Sequence, residues 1–92
     1  MDFEWNEKKA ADNIKKHKVA FDEAARSFTD MHAFQYIERS INYEEERFVS
    51  IGMSNGILYF VVYTERGDTI RLISARRATR AEQRDYDRNR QG

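Results

Sequence analysis

The sequence predicts an α+β fold: a small antiparallel sheet of four to five strands, with two N-terminal helices packed on one face and a helix at the C-terminal end. Three observations predict it. Runs rich in β-branched and aromatic residues at 33–38, 47–53, 57–65 and 69–76 fill the middle of the chain. Asn55-Gly56 is a strong two-residue hairpin signal, and a second turn is expected at Arg66-Gly67 within Glu65-Arg66-Gly67-Asp68. Helical spacing is confined to the two ends of the chain, at Phe21, Ala24, Ala25 and Phe28 and again beyond Thr79.

Taken in order, Phe3 and Trp5 alternate with Asp2 and Glu4, as in a short half-buried strand. Asn6 then caps a helix through roughly Lys16, whose thin apolar stripe is Ala10, Ile14 and His17. The second helix carries apolar residues at i, i+3, i+4 and i+7, with Asp22 as its expected N-cap. If both turns hold two residues, Ser54 faces Ile57, Ile51 faces Phe60, Glu65 faces Asp68 and Val62 faces Arg71. One face then holds Val49, Ile51, Met53, Leu58, Phe60, Val62, Ile73 and Ala75, with Arg71 toward its edge, and is expected to lie under the two helices. The other face holds Phe48, Ser50, Tyr59, Tyr63, Glu65, Ile70, Leu72, Ser74 and Arg76, and is expected to be the open working surface. Thr79-Arg80-Ala81-Glu82 reads as a capping box that starts the last helix, which has only Ala81 and Tyr86 to bury.

A chain of 92 residues is expected to form one domain, because it buries only about 60–65% of its unfolded surface and cannot support two cores. It has no cysteine, which removes disulfides and thiolate metal sites. No basic start leads into an apolar run, and nothing approaches the ~20 apolar residues of a membrane span, so a cytoplasmic protein with no membrane partner is expected. The net charge is zero but unevenly placed. All five lysines fall between Lys8 and Lys18, the stretch 20–65 has three arginines against eight acids, and from Arg66 onward eight arginines face four acids. Guanidinium, with five donors in a plane, suits bidentate contact with phosphate or carboxylate.

Motifs for nucleotide cofactors are missing, and with four glycines in all no cofactor is expected. A metal is not expected either. His17 and His32 stand apart, and in an extended chain Glu44-Glu45-Glu46 would splay its carboxylates to opposite faces. Arginine beside tyrosine on a sheet suits metal-independent RNA cleavage, in which the 2′-hydroxyl attacks the adjacent phosphate. That chemistry needs a base, cationic donors at the phosphoryl oxygens and an acid for the departing 5′ oxygen. Arg71, Arg76 and Arg77 can supply charge; Glu65, Tyr63, Tyr86 or His17 can move protons; Tyr59 or Tyr63 can stack a base. The arginines of the final strand are expected to converge at one uncovered spot. The same residues also suit a charged surface that pairs with local carboxylates, Arg76 or Arg77 with Glu82 among them.

Phe3-Glu4-Trp5-Asn6-Glu7-Lys8-Lys9, Asn13, Lys16-His17-Lys18-Val19-Ala20-Phe21 and Asp22-Glu23-Ala24-Ala25 form one recognisable pattern. Glu46-Arg47, Ile51-Gly52, 61–66, 70–79, Glu82 and Tyr86 form a second. With these residues the chain resembles the BrnT family of bacterial toxins over nearly its whole length. The resemblance implies a RelE-like fold and an RNA endonuclease neutralised by a BrnA-type ribbon-helix-helix antitoxin. It also implies operator DNA bound only through that antitoxin. By position, Arg71 and Arg76 would stabilise phosphate, Glu65 and Tyr86 would transfer protons or position RNA, and Lys16, His17, Tyr63, Arg66 and Arg77 would contact RNA. Two positions depart from the family: Lys18 stands where glycine is usual, and Tyr63 where histidine is common. A non-catalytic module that binds antitoxin or nucleic acid is the alternative reading. A direct DNA-binding regulator ranks last, for want of a well-anchored helix with exposed Arg or Asn.

Overall fold

The computed structural model describes residues 1–38 and 45–91; Arg39 and Glu44, counted above among the charges, lie outside them. The chain runs β1 (Asp2–Glu4), α1 (Glu7–His17), α2 (Phe21–Ala25), a 3₁₀ turn (Arg26–Thr29), β2 (Phe34–Glu38), β3 (Arg47–Ser54), β4 (Ile57–Arg66), β5 (Thr69–Arg77) and α3 (Arg80–Gln91). One sheet has the order β1-β5-β4-β3-β2. Its last four strands are antiparallel, but β1 lies parallel to β5, with Phe3 opposite Ile70 and Glu4 opposite Arg71. The sheet is therefore mixed, not antiparallel throughout. A parallel neighbour needs a crossover connection, and hairpin signals carry no information about one.

The β3–β4 register is the expected one, with Ser54 opposite Ile57 and Ile51 opposite Phe60. Asn55 and Gly56 both have positive φ, 52° and 77°, as a type I′ turn requires. The β4–β5 register differs. Its turn is Gly67-Asp68, so Arg66 faces Thr69 and Arg71 faces Thr64 instead of Val62. Farther along, Tyr63 pairs with Leu72 but Val62 pairs with Ser74, which leaves Ile73 as the extra residue of a bulge. That bulge moves Ala75 to the face of Val61, and Ser74 and Arg76 to the face of Val62 and Phe60.

The helices also cover the face expected to be open. Val19, Phe21, Ala24 and Ala25 pack on Tyr59, Val61, Tyr63, Ile70, Leu72 and Ala75, while Val49, Ile51 and Leu58 form a separate cluster with Tyr86 of α3. Shape and polar-tip satisfaction decide this. Gly52 lets the 3₁₀ turn approach so closely that a Cβ there would stand 2.6 Å from the Ser27 carbonyl oxygen. Phe28 meets Phe3 and Tyr63 at ring distances of 5.3 and 5.1 Å, and Trp5 meets Phe21 at 5.9 Å. Buried Tyr59 donates its hydroxyl to the Glu23 carboxylate, so a tyrosine on a strand need not mark a solvated face.

In α1 the Asn6 side chain accepts from Lys9 N–H at 3.0 Å, as the capping pattern requires. The stripe is otherwise arranged than expected: Ile14 is exposed and the buried residue is Asn13. Its Nδ2 donates to the Val19 and Ala75 carbonyls at 2.9 and 2.8 Å, and its Oδ1 accepts from Ala75 N–H at 3.0 Å. One amide thus occupies both backbone groups of Ala75 beyond the reach of β1. In α2 the N-cap position is Ala20, not Asp22, and the Glu23 carboxylate accepts from the Ala20 N–H at 3.4 Å.

Helix α1 ends on Lys18, which sits in the left-handed region at φ 62° and donates its N–H to the Ile14 carbonyl at 2.9 Å. This is the conformation that favours glycine, because a Cβ crowds the carbonyl there. Lys18→Gly is expected to stabilise the fold by about 0.5–1 kcal/mol, net of the extra freedom of glycine in the unfolded chain. A urea titration checks it: the midpoint should rise with an unchanged slope.

Candidate active site

The bulge at Ile73 and the position of α3 together build the site. Phe34 and Tyr36 of β2, Val49 and Ile51 of β3, Phe60 and Val62 of β4, and Arg71, Ser74 and Arg76 of β5 share the sheet face away from α1 and α2. Among the described residues only α3 leans on that face, through Tyr86. Its start is set by the expected capping box: Glu82 N–H donates to Thr79 Oγ1 at 3.2 Å and Thr79 N–H donates to Glu82 Oε1 at 2.8 Å.

The same Glu82 carboxylate clamps Arg76. Nη1 and Nη2 donate to its two oxygens at 2.9 Å each, and Nη1 also donates to the Arg77 carbonyl at 3.1 Å. The guanidinium carbon stands 3.9 Å from the Phe60 ring centroid, so one flat side rests on an aromatic ring. Three of five N–H donors are thereby accounted for. The Nε–H and the second Nη2–H lie side by side and have no partner among the described residues. Together they form the parallel fork that grips a phosphate or carboxylate. The Arg76 side chain is 33% exposed. Burial pushes the Glu82 carboxyl up, but Arg76 and the Thr79 N–H more than offset this and hold it below its ordinary range.

Tyr36 projects beside this pair with 45% of its surface exposed. Burial of its hydroxyl, helped by the charges of Glu82 and Glu38, raises its pKa. Neither Tyr36 nor Phe60 was singled out for the site from the sequence. Tyr36 lay in a run read only as strand, and Phe60 fell on the face expected to be covered.

Arg71, Arg77 and Arg66 do not converge on Arg76. Arg71 shares its face but lies five residues away across the bulge, about 13 Å along the sheet, and its Nη1 donates to the Glu4 carboxylate at 2.5 Å. Arg77 alternates to the helix side, opposite Tyr59. Arg66 and Glu65 close the far end of β4 at the Gly67-Asp68 turn, where Arg66 meets Glu45 at 3.4 Å. Lys16 and His17 line a depression of about 250 Å³ with Lys9, Asp12, Asn13, Ile73 and Ser74, which brings the end of α1 against the bulge two residues from Arg76. Tyr63 is buried between Phe28 and Phe48, and burial, with the Glu65 charge, pushes its pKa to about 12.

Tyr86 is buried, and its hydroxyl donates to Asp30 Oδ2 at 2.5 Å. Asp30 also accepts from Met53 N–H at 2.8 Å and His32 N–H at 2.9 Å, so one carboxylate ties α3, β3 and the turn before β2 together. Burial acts to raise the Asp30 pKa, but these donors outweigh it and the net shift is down. Burial and the Asp30 bond push Tyr86 up to about 12. The link therefore contributes stability across the middle of the pH range. It is lost as pH falls through the lowered Asp30 value, and as pH rises toward 12 through Tyr86.

Tyr59 is likewise raised to about 12 by burial and the Glu23 bond. Three of the five tyrosines are thus expected to hold their protons well past the ordinary value near ~10. Phenolate absorbance should rise mostly above pH ~11 in the folded chain and near ~10 in urea. A folded chain that titrated like the unfolded one would contradict the burial of these hydroxyls.

A family model described as the ribonuclease toxin BrnT of type II toxin–antitoxin systems matches residues 5–82. The chain belongs to the BrnT family. No curated protein matches it. Membership brings an antitoxin partner at the level of the family, and the matched span takes in Arg71, Arg76 and Glu82 but ends before Tyr86. No helix among the described residues is long and apolar enough to cross a membrane.

Proposed function

We propose that this chain is a metal-independent endoribonuclease, and that Arg76 is the group that stabilises charge on the phosphoryl oxygens during cleavage. The observation that carries the reading is the Arg76 guanidinium, fixed by Glu82 and Phe60 with two donors left without a partner among the described residues. A donor fixed before the substrate arrives needs no reorganisation as charge develops, and this is the largest contribution of such groups to catalysis. The RNA strand runs along β5 from Arg71 to Arg76. His17 lines the depression that also reaches Ser74 at the edge of β5, and an imidazole is the side chain most used for proton transfer, so in this reading it is the base or acid. Lys16 adds charge next to it. Glu65, Arg66 and Arg77 guide RNA at the margins, while Tyr86 and Tyr63 act by holding α3 and the helix-side core in place.

In the same reading the fold is RelE-like, the protein works in the cytoplasm, and a BrnA-type ribbon-helix-helix antitoxin neutralises it and carries the complex to operator DNA. Purified chain should cleave single-stranded RNA at the same rate with and without EDTA. Loss of cleavage in EDTA that is restored by a divalent cation would replace this mechanism with a metal-assisted one. Cells expressing the chain should stop growing, and co-expression of the protein from the adjoining reading frame should restore growth.

A further inference from the structure

We infer that the antitoxin docks by laying an extended segment along the outer edge of β2, with apolar side chains filling the groove between β2 and α3. Among the described residues β2 is outermost in the sheet. Edge strands are ordinarily guarded by lysine, proline, a bulge or a covering element, because their unpaired backbone groups template another strand. Phe34-Gln35-Tyr36-Ile37-Glu38 contains neither lysine nor proline and pairs with β3 without a bulge. Its Tyr36 and Ile37, on opposite faces of the strand, are 45% and 37% exposed. Apolar exposure on both faces of an edge is what a partner strand would cover.

The groove is a second and independent feature. It measures about 520 Å³, its floor is Phe34, Tyr36 and Ile51, and its α3 wall presents Glu82, Asp85, Arg88 and Asn89. The charges of that wall are already matched, Glu82 by Arg76 and Asp85 by Arg88, so no net positive charge draws a polyanion, whereas a polypeptide can set apolar side chains on the floor. A second copy of this chain fits less well. Its own Phe34 and Tyr36 already line its own groove and cannot also fill its neighbour's. The family works with an antitoxin, and that is the polypeptide assigned here. Because Glu82 and Tyr36 belong to the groove as well as to the surroundings of Arg76, an occupant also closes the phosphate site; this last consequence, unlike the docking itself, rests on the ribonuclease reading.

The test uses the full chain and the purified protein encoded by the adjoining reading frame, titrated calorimetrically against wild type, Ile37→Lys and Asn89→Trp. Lysine restores an edge guard, and tryptophan obstructs the groove from the exposed wall of α3. Both variants should keep the wild-type circular dichroism, Ile37→Lys should also keep the RNA cleavage rate, and both should bind the partner at least about tenfold more weakly. Affinities within about twofold of wild type, or no binding by wild type, overturn the proposal. Slower RNA cleavage with unchanged partner binding makes RNA the occupant, and a dimer broken by Ile37→Lys with partner affinity intact makes it a second copy; either result overturns the assignment. If wild type fails to cleave RNA but partner binding weakens as expected, docking stands and the ribonuclease reading falls.

Discussion

Arg76→Ala is expected to lower RNA cleavage by about 10²–10³-fold, the usual loss when a fixed donor to a developing oxyanion is removed. The fold should survive. Glu82 keeps the Thr79 N–H as a partner, so the capping box that starts α3 remains. The stability cost is of order 1–2 kcal/mol, from one charge-assisted pair in a half-buried setting. Arg76→Lys separates charge from geometry. An ammonium restores the positive charge but cannot hold Glu82 with two donors and still offer a parallel pair to the substrate, so the variant should remain at least about tenfold impaired. Glu82→Gln tests the clamp from the other side, since an amide supplies one acceptor where the carboxylate supplies two. Single-turnover cleavage, which isolates the chemical step, is the measurement to make. Full activity in Arg76→Ala would remove the physical basis of the proposed mechanism.

Asn13→Ala is expected to be the most destabilising single change near the site. It strips partners from the Ala75 N–H, the Ala75 carbonyl and the Val19 carbonyl, all of which the buried amide now serves. Each unsatisfied buried group costs about 1–3 kcal/mol, and partial entry of water reduces the sum, so a loss of about 3 kcal/mol is expected. For a domain of this size that lowers Tm by roughly 12–24 °C. Asn13→Asp adds a sign to check. Its carboxylate keeps the acceptor for Ala75 N–H but faces two carbonyl oxygens with no donor. Stability should therefore recover in part as pH falls and the carboxyl gains a proton to donate. Thermal melts at pH 7 and pH ~5 distinguish the two variants, since Asn13→Ala should show no such recovery.

Sequence and structure divide the site unevenly. Asn6, the Thr79–Glu82 box and the Asn55-Gly56 turn were readable because each acts over a few residues, where side-chain chemistry and backbone conformation are directly linked. Arg76 was also readable as a phosphate-binding candidate, partly from residue type and partly from family resemblance. What surrounds it was not. An extra residue at Ile73 reverses the side on which every later residue of β5 points, and nothing in 69–76 announces a bulge. Asn13 was noted only as part of a motif, because both backbone groups of Ala75 lie 62 positions away.

The sequence by itself determined the element order, the meander of β3 to β5, the caps of α1 and α3, and the family. These are matters of local propensity and of pattern along the chain. Only the tertiary structure decided which face the N-terminal helices cover, that β1 joins the sheet in parallel, and that Arg76 stands clamped while Arg71 lies far along the strand, paired with Glu4. Both sheet faces carry enough apolar surface to be buried. The choice between them rests on how closely the 3₁₀ turn can approach Gly52 and on whether buried tyrosine hydroxyls find carboxylates, and both depend on residues distant in sequence meeting in space.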